Sequence, residues 1–217
     1  MEDSTTSREK ILKKVRKALI ATVKDEMPGN IDFDSPIYET PNEPLEIMFA
    51  QQFTKLNGKF IFCENEADFI TNLKALIAEQ KFTNIQSIDP AIIPLLQKGN
   101  ISFSSKPEDL SKTNVGLTTC EYLVARLGTV MISSKQPSGR RMVVLPNYHI
   151  VVAYTSQLVL NLKDALKAIR EKYGNQPPSL ISAISGPSRT ADIEKTLVQG
   201  AHGPKEIYVM LIDNHAH

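Results

Sequence analysis

Short apolar runs and amphipathic stretches alternate along the chain from residue 45 onward. Apolar residues at helical spacing predict helices, whereas short runs of mainly apolar residues predict buried strands. The predicted helices are Leu45–Leu56, Asp68–Glu79, Pro90–Leu96 and Leu162–Tyr173. The predicted strands are Lys59–Cys63, Asn84–Ile88, Ile101–Phe103, Val115–Thr119, Thr129–Ser133, Met142–Leu145, His149–Ala153 and Ile207–Asp213. This alternation predicts an α/β fold with an open, mostly parallel sheet and flanking helices.

The N-terminal region has a different pattern. After Ser7, a fair N-cap, apolar residues recur at helical spacing opposite a basic face, which predicts a helix. Residues 27–44 contain four prolines and no helical periodicity, which is typical of a linker. We therefore divide the chain into an N-terminal helix with a Pro-rich linker arm, residues 1–44, and an α/β domain, residues 45–217. The arm could pack on a second subunit, so a homodimer stays open.

Composition narrows the classes of function. The 25 basic and 24 acidic residues nearly balance and Trp is absent, which disfavours nucleic-acid binding. The N-terminus lacks the basic start and apolar core of a signal peptide, and no stretch approaches the roughly 18 apolar residues of a membrane span. We therefore expect a cytoplasmic protein without a membrane span.

The two cysteines, Cys63 and Cys120, lie far apart and outside any Cys-x-x-Cys pair. This spacing predicts buried free thiols rather than a disulfide or a structural zinc site. A cubane iron–sulfur cluster usually needs four thiolates, so the chain is not expected to hold one alone.

Glycine and polar residues concentrate in two segments of the α/β domain. The segments are Gly128–His149 and Ser185–Lys205. In the second, Ser188 and Thr190 suit an N-cap, and a Ser/Gly-rich turn that carries Arg189 into a helix would be an anion cradle. An ordinary capped helix start is the alternative, and residues 193–198 could equally continue as a strand.

Later in the same segment, His202 lies between Gly200 and Gly203, and Pro204 excludes a continuing helix. An imidazole on such a turn could act as a general acid or base near neutral pH, or it could cap the turn. The chain has no second histidine or carboxylate at metal-ligand spacing around it, so we predict no metal site.

The first segment contains a basic loop, Ser134–Arg141, between two predicted strands. Loops of this kind form ligand rims when they leave the carboxyl ends of strands, and otherwise they are solvated hairpin loops. His149 precedes an apolar strand, so we interpret it as a structural histidine.

Two stretches resemble a known family. Ser-Gly-Pro-Ser-Arg-Thr-Ala-Asp-Ile-Glu at Ser185–Glu194 and Gly-Ala-His-Gly-Pro-Lys-Glu at Gly200–Glu206 closely resemble the C-terminal signature of the LUD-domain proteins, in particular the lactate utilization protein C family. Three further stretches fit in order. These are Val115–Thr119, Leu127–Ile132 and Leu145–Val152. The resemblance covers Leu45 to Asp213, weakly before Val115.

The resemblance implies a fold and a role. The family is similar to ribose-phosphate isomerases, sugar-phosphate deaminases and CoA transferases, which have an open α/β sheet. It implies a part in the oxidation of L-lactate to pyruvate, beside partner oxidoreductase subunits that carry iron–sulfur clusters. The chain itself would bind no cofactor.

The sequence departs from the family in one place. Family members usually read Ala-Glu-Thr-Gly-Thr where this chain reads Ala-Arg-Leu-Gly-Thr at Ala125–Thr129, so Arg126 replaces a carboxylate. If that carboxylate were an acid, base or nucleophile, this chain has lost it. Glu121 is the nearest carboxylate, but on a helix it would point in another direction.

We therefore predict an accessory subunit of lactate oxidation that binds a small carboxylate or a phosphate-bearing ligand. A stand-alone isomerase, deaminase or CoA transferase and a regulatory ligand-binding module are the alternatives, so it stays open whether the chain is itself catalytic. His202 is the candidate proton carrier. The candidate ligand-binding residues are Gly128, Thr129, Arg140, Ser185, Gly186, Ser188, Arg189, Thr190, Gly200 and Gly203.

Overall fold

A computed structural model describes residues 7–20, 41–191, 197–200 and 202–214. Contacts divide the chain into two units, Met1–Pro41 and Asn42–His217. The first unit contains helix α1, Ser7–Ile20, on which Ile11, Leu12 and Val15 are exposed. Val23, the last residue of the predicted apolar repeat, lies outside the described residues.

The second unit contains the remaining helices and all the strands among the described residues. Its helices are α2 Leu45–Lys55, α3 Glu66–Gln80, α4 Ile93–Lys98, α5 Arg141–Val144 and α6 Leu162–Tyr173. Its strands are β1 Lys59–Cys63, β2 Ile85–Gln86, β3 Val115–Thr119, β4 Tyr122–Val124, β5 Thr129–Ser133, β6 Tyr148–Tyr154, β7 Leu158–Val159, β8 Ile181–Ile184, β9 Arg189–Ala191, β10 Leu197–Gln199 and β11 Glu206–Ile212. Short 3₁₀ helices occupy Pro107–Lys112, Ala125–Leu127 and Thr155–Gln157.

Five strands form a sheet in the order β1-β11-β6-β3-β2, and every neighbouring pair is parallel. We call it the parallel sheet. Its strands are apolar on both faces, and alternate residues of β11, such as Val209 and Met210, belong to different core clusters. This period of two follows from the pleat of a strand. The predicted α/β fold with a mostly parallel sheet is confirmed.

Helices α3 and α4 cover one face of the parallel sheet, where Phe69, Leu73 and Leu96 are buried in the core. The sequence sets the start of α3. The Asn65 side chain accepts hydrogen bonds from the backbone N–H groups of Ala67 and Asp68 at 2.9 and 3.0 Å. This N-cap satisfies donors that the helix itself leaves unpaired.

The other face packs against α2 and a second sheet, with strand order β7-β4-β5-β8. We call this the mixed sheet, because β5 is antiparallel to both neighbours whereas β4 and β7 are parallel. Val130 and Ile132 of β5 face the parallel sheet, while Met131 packs against Ala165 and Ile169 of α6. The predicted strand Thr129–Ser133 therefore exists, but it belongs to this second layer.

Two predicted strands are wrong. Residues Met142 and Val143 are both buried, while Val144 and Leu145 are exposed, and this pattern suits the helix α5 rather than the alternation of a strand. Residues 101–103 are extended but form no strand, and only Ser104 bridges Gln86. A short apolar run is compatible with a helix, a strand or a loop, so the sequence alone could not distinguish these structures.

None of the helices in the described ranges is both long and apolar enough to cross a membrane.

Candidate functional site

A cavity of about 230 Å³ lies where the mixed sheet meets α5 and two loops. It takes residues from the ends of β5 and β8, from α5, and from the loops before β9 and β11. The lining residues are Ile132, Ser133, Arg140, Val143, Val144, Leu180, Ser182, Ile184, Gly186, Ser188, His202, Gly203 and Pro204. Five of the residues selected from sequence thus meet at one cavity: Arg140, Gly186, Ser188, His202 and Gly203.

The backbone holds the two loops together. Ser188 N–H donates to the carbonyl of Pro204 at 2.9 Å, and Gly200 N–H donates to the carbonyl of Ser188 at 3.1 Å. A Cβ at Gly203 would lie 3.1 Å from Ser188 Cβ, although Gly203 is not among the residues with positive φ. Gly203 is thus needed for close packing of the loops rather than for a left-handed turn.

The position of Gly186 excludes other residues more strictly than that of Gly203. Its φ is +110°, and a Cβ there would lie 2.4 Å from the carbonyl oxygen of Leu56. Both the backbone conformation and the contact exclude a larger residue. This glycine therefore fixes the path of the chain between β8 and Ser188.

Arg140 and His202 give the cavity its cationic and titratable groups. Arg140 is exposed, and its Nη2 donates to Ser179 Oγ at 2.8 Å. Ser179 in turn lies 3.1 Å from Ser134 Oγ, which ties the start of the basic loop to the segment before β8. His202 is exposed at the cavity. A small anion can therefore reach both side chains from solvent.

A buried carboxylate lies behind one wall of the cavity. Ser133, a lining residue, donates from Oγ to Glu121 Oε1 at 2.5 Å. Tyr173 OH donates to the same oxygen at 2.7 Å, and Lys172 Nζ donates to Oε2 at 2.8 Å. Burial alone would raise the pKa of Glu121, but the hydrogen bonds from Lys172, Ser133 and Tyr173 outweigh it and hold that pKa below 4.5. Glu121 is therefore ionised and fixes the orientation of Ser133.

This network was not predicted from sequence. Lys172 and Tyr173 are 51 and 52 residues from Glu121, so no local spacing connects them. Glu121 also precedes β4 rather than lying on a helix. Arg126 donates from Nε to Asn161 Oδ1 at 3.0 Å, at the start of α6. It is not among the lining residues of the cavity.

The predicted anion cradle at a helix N-terminus does not form on Ser188–Thr190. Residues Arg189–Ala191 form strand β9, which pairs antiparallel with β10, Leu197–Gln199. The alternative of a strand over residues 193–198 is correct for Leu197 and Val198, which lie in β10, and 192–196 lie outside the described part. Arg189 Nη2 donates to the carbonyl of Leu56 at 2.6 Å. Thr190 is described only as part of the β9 backbone.

Four other predicted residues do not line the cavity. Thr129 Oγ1 and Ser185 Oγ are 2.6 Å apart, so the two side chains join β5 to the end of β8. Gly128 has φ +57°, and a Cβ there would lie 2.4 Å from the backbone nitrogen of Phe53 in α2. Gly200 has φ +80° and packs against Lys205. Each of these contacts joins two segments of the chain and leaves the residue outside the cavity lining.

His149 and the two cysteines are buried. His149 Nε2 lies 2.8 Å from Thr118 Oγ1, and burial lowers the pKa of His149 to about 4. Burial likewise raises the pKa of the Cys63 thiol to about 11, and it raises that of Cys120 further. These groups therefore stay uncharged at neutral pH. Within the described residues, no group of three or more His, Cys, Asp and Glu side chains could hold a metal ion.

The LUD domain family model matches residues 47–212 of the chain. The chain belongs to the LUD domain family. It is similar to proteins named lactate utilization protein C from Shouchella clausii, at 38% identity over 108 residues (49% of this chain and 47% of that protein), and from Bacillus subtilis, at 39% over 105 residues (47% and 44%). The chain thus spans about half the length of the curated relatives it matches.

Among solved structures, the chain is similar to the crystal structure of a DUF162 family protein from Deinococcus radiodurans. The TM-score is 0.56 at 15% sequence identity, and the match covers 77% of this chain and 96% of that one. At this identity the likeness supports the fold alone. It agrees with the parallel sheet and flanking helices described above.

Proposed function

We propose that this LUD-domain chain is an accessory component in the oxidation of L-lactate to pyruvate, and that its cavity binds a small carboxylate. The similarity to proteins named lactate utilization protein C supports the pathway. The observation that supports the ligand is the convergence of Arg140, Ser188 and His202 on one cavity with an apolar wall.

The side chains of the cavity suit a short 2-hydroxy or 2-oxo acid. The Arg140 guanidinium can pair with a carboxylate through charge-assisted hydrogen bonds. Ser188 and His202 can pair with the hydroxyl or carbonyl oxygen, and the apolar wall, which includes Val143 and Ile184, can contact a methyl group. The volume of about 230 Å³ lies below the roughly 300–1,000 Å³ of sites for drug-sized ligands. A small acid therefore fits better than an acyl-CoA.

The chemistry of oxidation requires an acceptor for two electrons. The chain has two cysteines, Cys63 and Cys120, and both are buried thiols. Because a four-thiolate cluster needs more, we assign the electron acceptor to iron–sulfur partner subunits and expect this chain to bind no cofactor of its own. His202 is the candidate proton carrier among the residues that line the cavity.

A direct binding measurement tests the ligand. We expect the isolated protein to bind L-lactate or pyruvate in isothermal titration calorimetry and to bind lactamide, which lacks the carboxylate, far more weakly. Arg140→Ala should raise the Kd about tenfold to a hundredfold, the effect of losing a charge-assisted hydrogen bond. Arg170→Ala, which removes an exposed arginine on α6, is the matched control and should leave the Kd unchanged.

A growth experiment tests the role. Deleting the gene should abolish growth of the host on L-lactate, and the wild-type gene should restore it whereas the Arg140→Ala variant restores it poorly. Normal growth of the deletion strain on lactate would refute the proposed pathway. Equal binding of lactate and lactamide would refute the assigned ligand.

A further inference from the structure

Charge is segregated around the cavity, although the whole chain is nearly neutral. Three segments build the cavity and its surroundings: Leu127–His149, Gly174–Ala191 and Gly200–Lys205. Together they contain five basic residues and no aspartate or glutamate. The basic residues are Lys135, Arg140, Arg141, Arg189 and Lys205, all of them exposed. Among the acidic residues that directly follow these segments, Asp192 and Glu194 lie outside the described part, and Glu206 pairs with Lys59 at 2.7 Å.

These segments, whose five cations we call the basic rim, also carry exposed apolar side chains. Val144 is 48% exposed and Leu180 is 39% exposed, and both line the cavity. Leu145, which directly follows Val144, is 50% exposed. Large apolar side chains that cluster on a surface and are surrounded by charge are typical of protein interfaces. We call Val144, Leu145 and Leu180 the apolar rim.

The short helix α5 brings the two features together. Leu145 N–H donates to the carbonyl of Arg141 at 3.0 Å, so the helical turn extends to Leu145. Residues three and four apart on a helix share a face, which places Arg141 beside Val144 and Leu145. Met142 and Val143, on the opposite face, are buried. One surface of α5 thus presents a cation and two apolar side chains to solvent.

We propose that this face is a docking surface for a partner protein with an apolar centre and an acidic rim, which covers the mouth of the cavity. The inference deepens the proposed function, because it identifies the face to which a partner binds. A second copy of this chain would bring the same basic rim and be repelled in a symmetric contact. Nucleic acid would satisfy the cations but leave the apolar rim uncovered.

Docking on this face would change the cavity itself. Arg140 belongs both to the lining and to the basic rim, and it is exposed in the unbound chain. A partner that excludes water from the mouth lowers the local dielectric and strengthens the attraction between Arg140 and a carboxylate. Ligand and partner should therefore bind with positive coupling, each raising the affinity of the other.

Site-specific photocrosslinking in the native host tests the surface. The photoreactive residue p-benzoylphenylalanine replaces Leu145 in the full chain, and replaces Ile47 in the control, because Ile47 on α2 is also 50% exposed. We expect Leu145→p-benzoylphenylalanine to crosslink to a peptide rich in Asp and Glu in one other protein. The Ile47 variant should not give that product.

Charge reversal gives the decisive comparison. Arg141→Glu in the Leu145 variant should reduce the crosslink at least tenfold, since it places like charges opposite each other. Lys167→Glu, at an exposed position of α6, should leave the yield unchanged. Any of four results would overturn the proposal. These are crosslinking to a second copy, crosslinking to a partner peptide without acidic residues, a yield no higher than that from the Ile47 variant, and a yield that Arg141→Glu does not change. Thermal unfolding of both charge variants verifies that they are folded.

The outcome is distinguishable from that of the growth experiment. If the deletion strain grows normally on lactate while the charge-dependent crosslink persists, the docking surface stands and the proposed pathway fails. If growth is lost but no acidic peptide is crosslinked, the pathway stands and this face is not the interface.

Discussion

The central strands of the parallel sheet and the edge strand β8 of the mixed sheet are buried to different extents. In the parallel sheet, β11 is fully buried from Ile207 to Ile212, and β6 is buried from His149 to Ala153. In the mixed sheet, β8 alternates between exposed and half-buried residues, and Leu180 and Ile181 at its start are exposed. The cavity lies at the margin of this second sheet.

Within the second unit, the parallel sheet therefore stabilises the fold, whereas the margin of the mixed sheet carries the candidate binding residues. Strands covered on both faces contribute most of the buried apolar area, which is the main favourable term in folding. The mixed sheet packs on the parallel sheet with one face and on α6 with the other, but its edge strand β8 supplies lining residues that reach solvent. Binding groups can therefore vary at this margin at a small cost in free energy of unfolding.

The contrast predicts the largest effect for a truncation in the parallel sheet. Leu211 in β11 is fully buried, so Leu211→Ala should lower the free energy of unfolding by about 2–5 kcal/mol. Ile184→Ala, in β8, should cost about 1 kcal/mol because its side chain is already partly exposed. Urea denaturation of both variants measures the difference. Equal losses would show that the two sheets contribute alike.

A second prediction concerns pH and the layer between the sheets. His149 is fully buried with a pKa of about 4, against 6.5 when unfolded, so the unfolded chain binds the proton first as the pH falls. Stability present above pH 6.5 should be lost between pH 6.5 and pH 4, by about 3 kcal/mol. His149→Gln, which can keep a hydrogen bond to Thr118, should flatten this part of the curve of unfolding free energy against pH.

A third, smaller effect is expected at the mixed sheet. Glu121→Gln should cost about 2 kcal/mol at pH 7, because it removes charge-assisted hydrogen bonds from a buried carboxylate. The folded pKa of Glu121 is below its ordinary 4.5, so this contribution is present above pH 4.5 and is lost as the pH falls through the folded pKa. The difference between variant and wild type in urea denaturation should therefore shrink in acid.

The matched control for Glu121 is Glu171→Gln. Glu171 is exposed and lies 3.9 Å from Lys167 on the same helix, so its loss should change stability by less than about 0.5 kcal/mol. A loss as large as that for Glu121→Gln would mean that burial does not distinguish the two carboxylates.

The same contrast explains which parts of the fold could be predicted from sequence. Strands of the parallel sheet, such as Lys59–Cys63 and Val115–Thr119, are apolar on both faces and read as continuous runs. Strands β4 and β8 have only three and four residues, which is too short for a period to be visible in the sequence. Strand propensity also gave the wrong structure for Met142–Leu145, because packing on the sheet favours a helix there.

The candidate site was predictable only where a local motif marks it. The glycines and polar residues around Ser188 and His202 form such motifs, and the structure brings both to the cavity. The link from Ser133 to Glu121, Lys172 and Tyr173 depends on how distant segments pair, which spacing does not encode. Whether the cavity residues bind a ligand stays a prediction.

The position of β11 has a consequence for how the protein forms during its synthesis. β11 lies between β1 and β6, and its pairing with β1 joins Lys59 to Tyr208, far apart in the chain. The parallel sheet therefore cannot close until residues 206–212 have been made, and such long-range pairing folds slowly. Until then β1 and β6 expose unpaired edges in the growing chain, which can associate with other chains. We expect newly made protein to depend on chaperones until β11 is inserted.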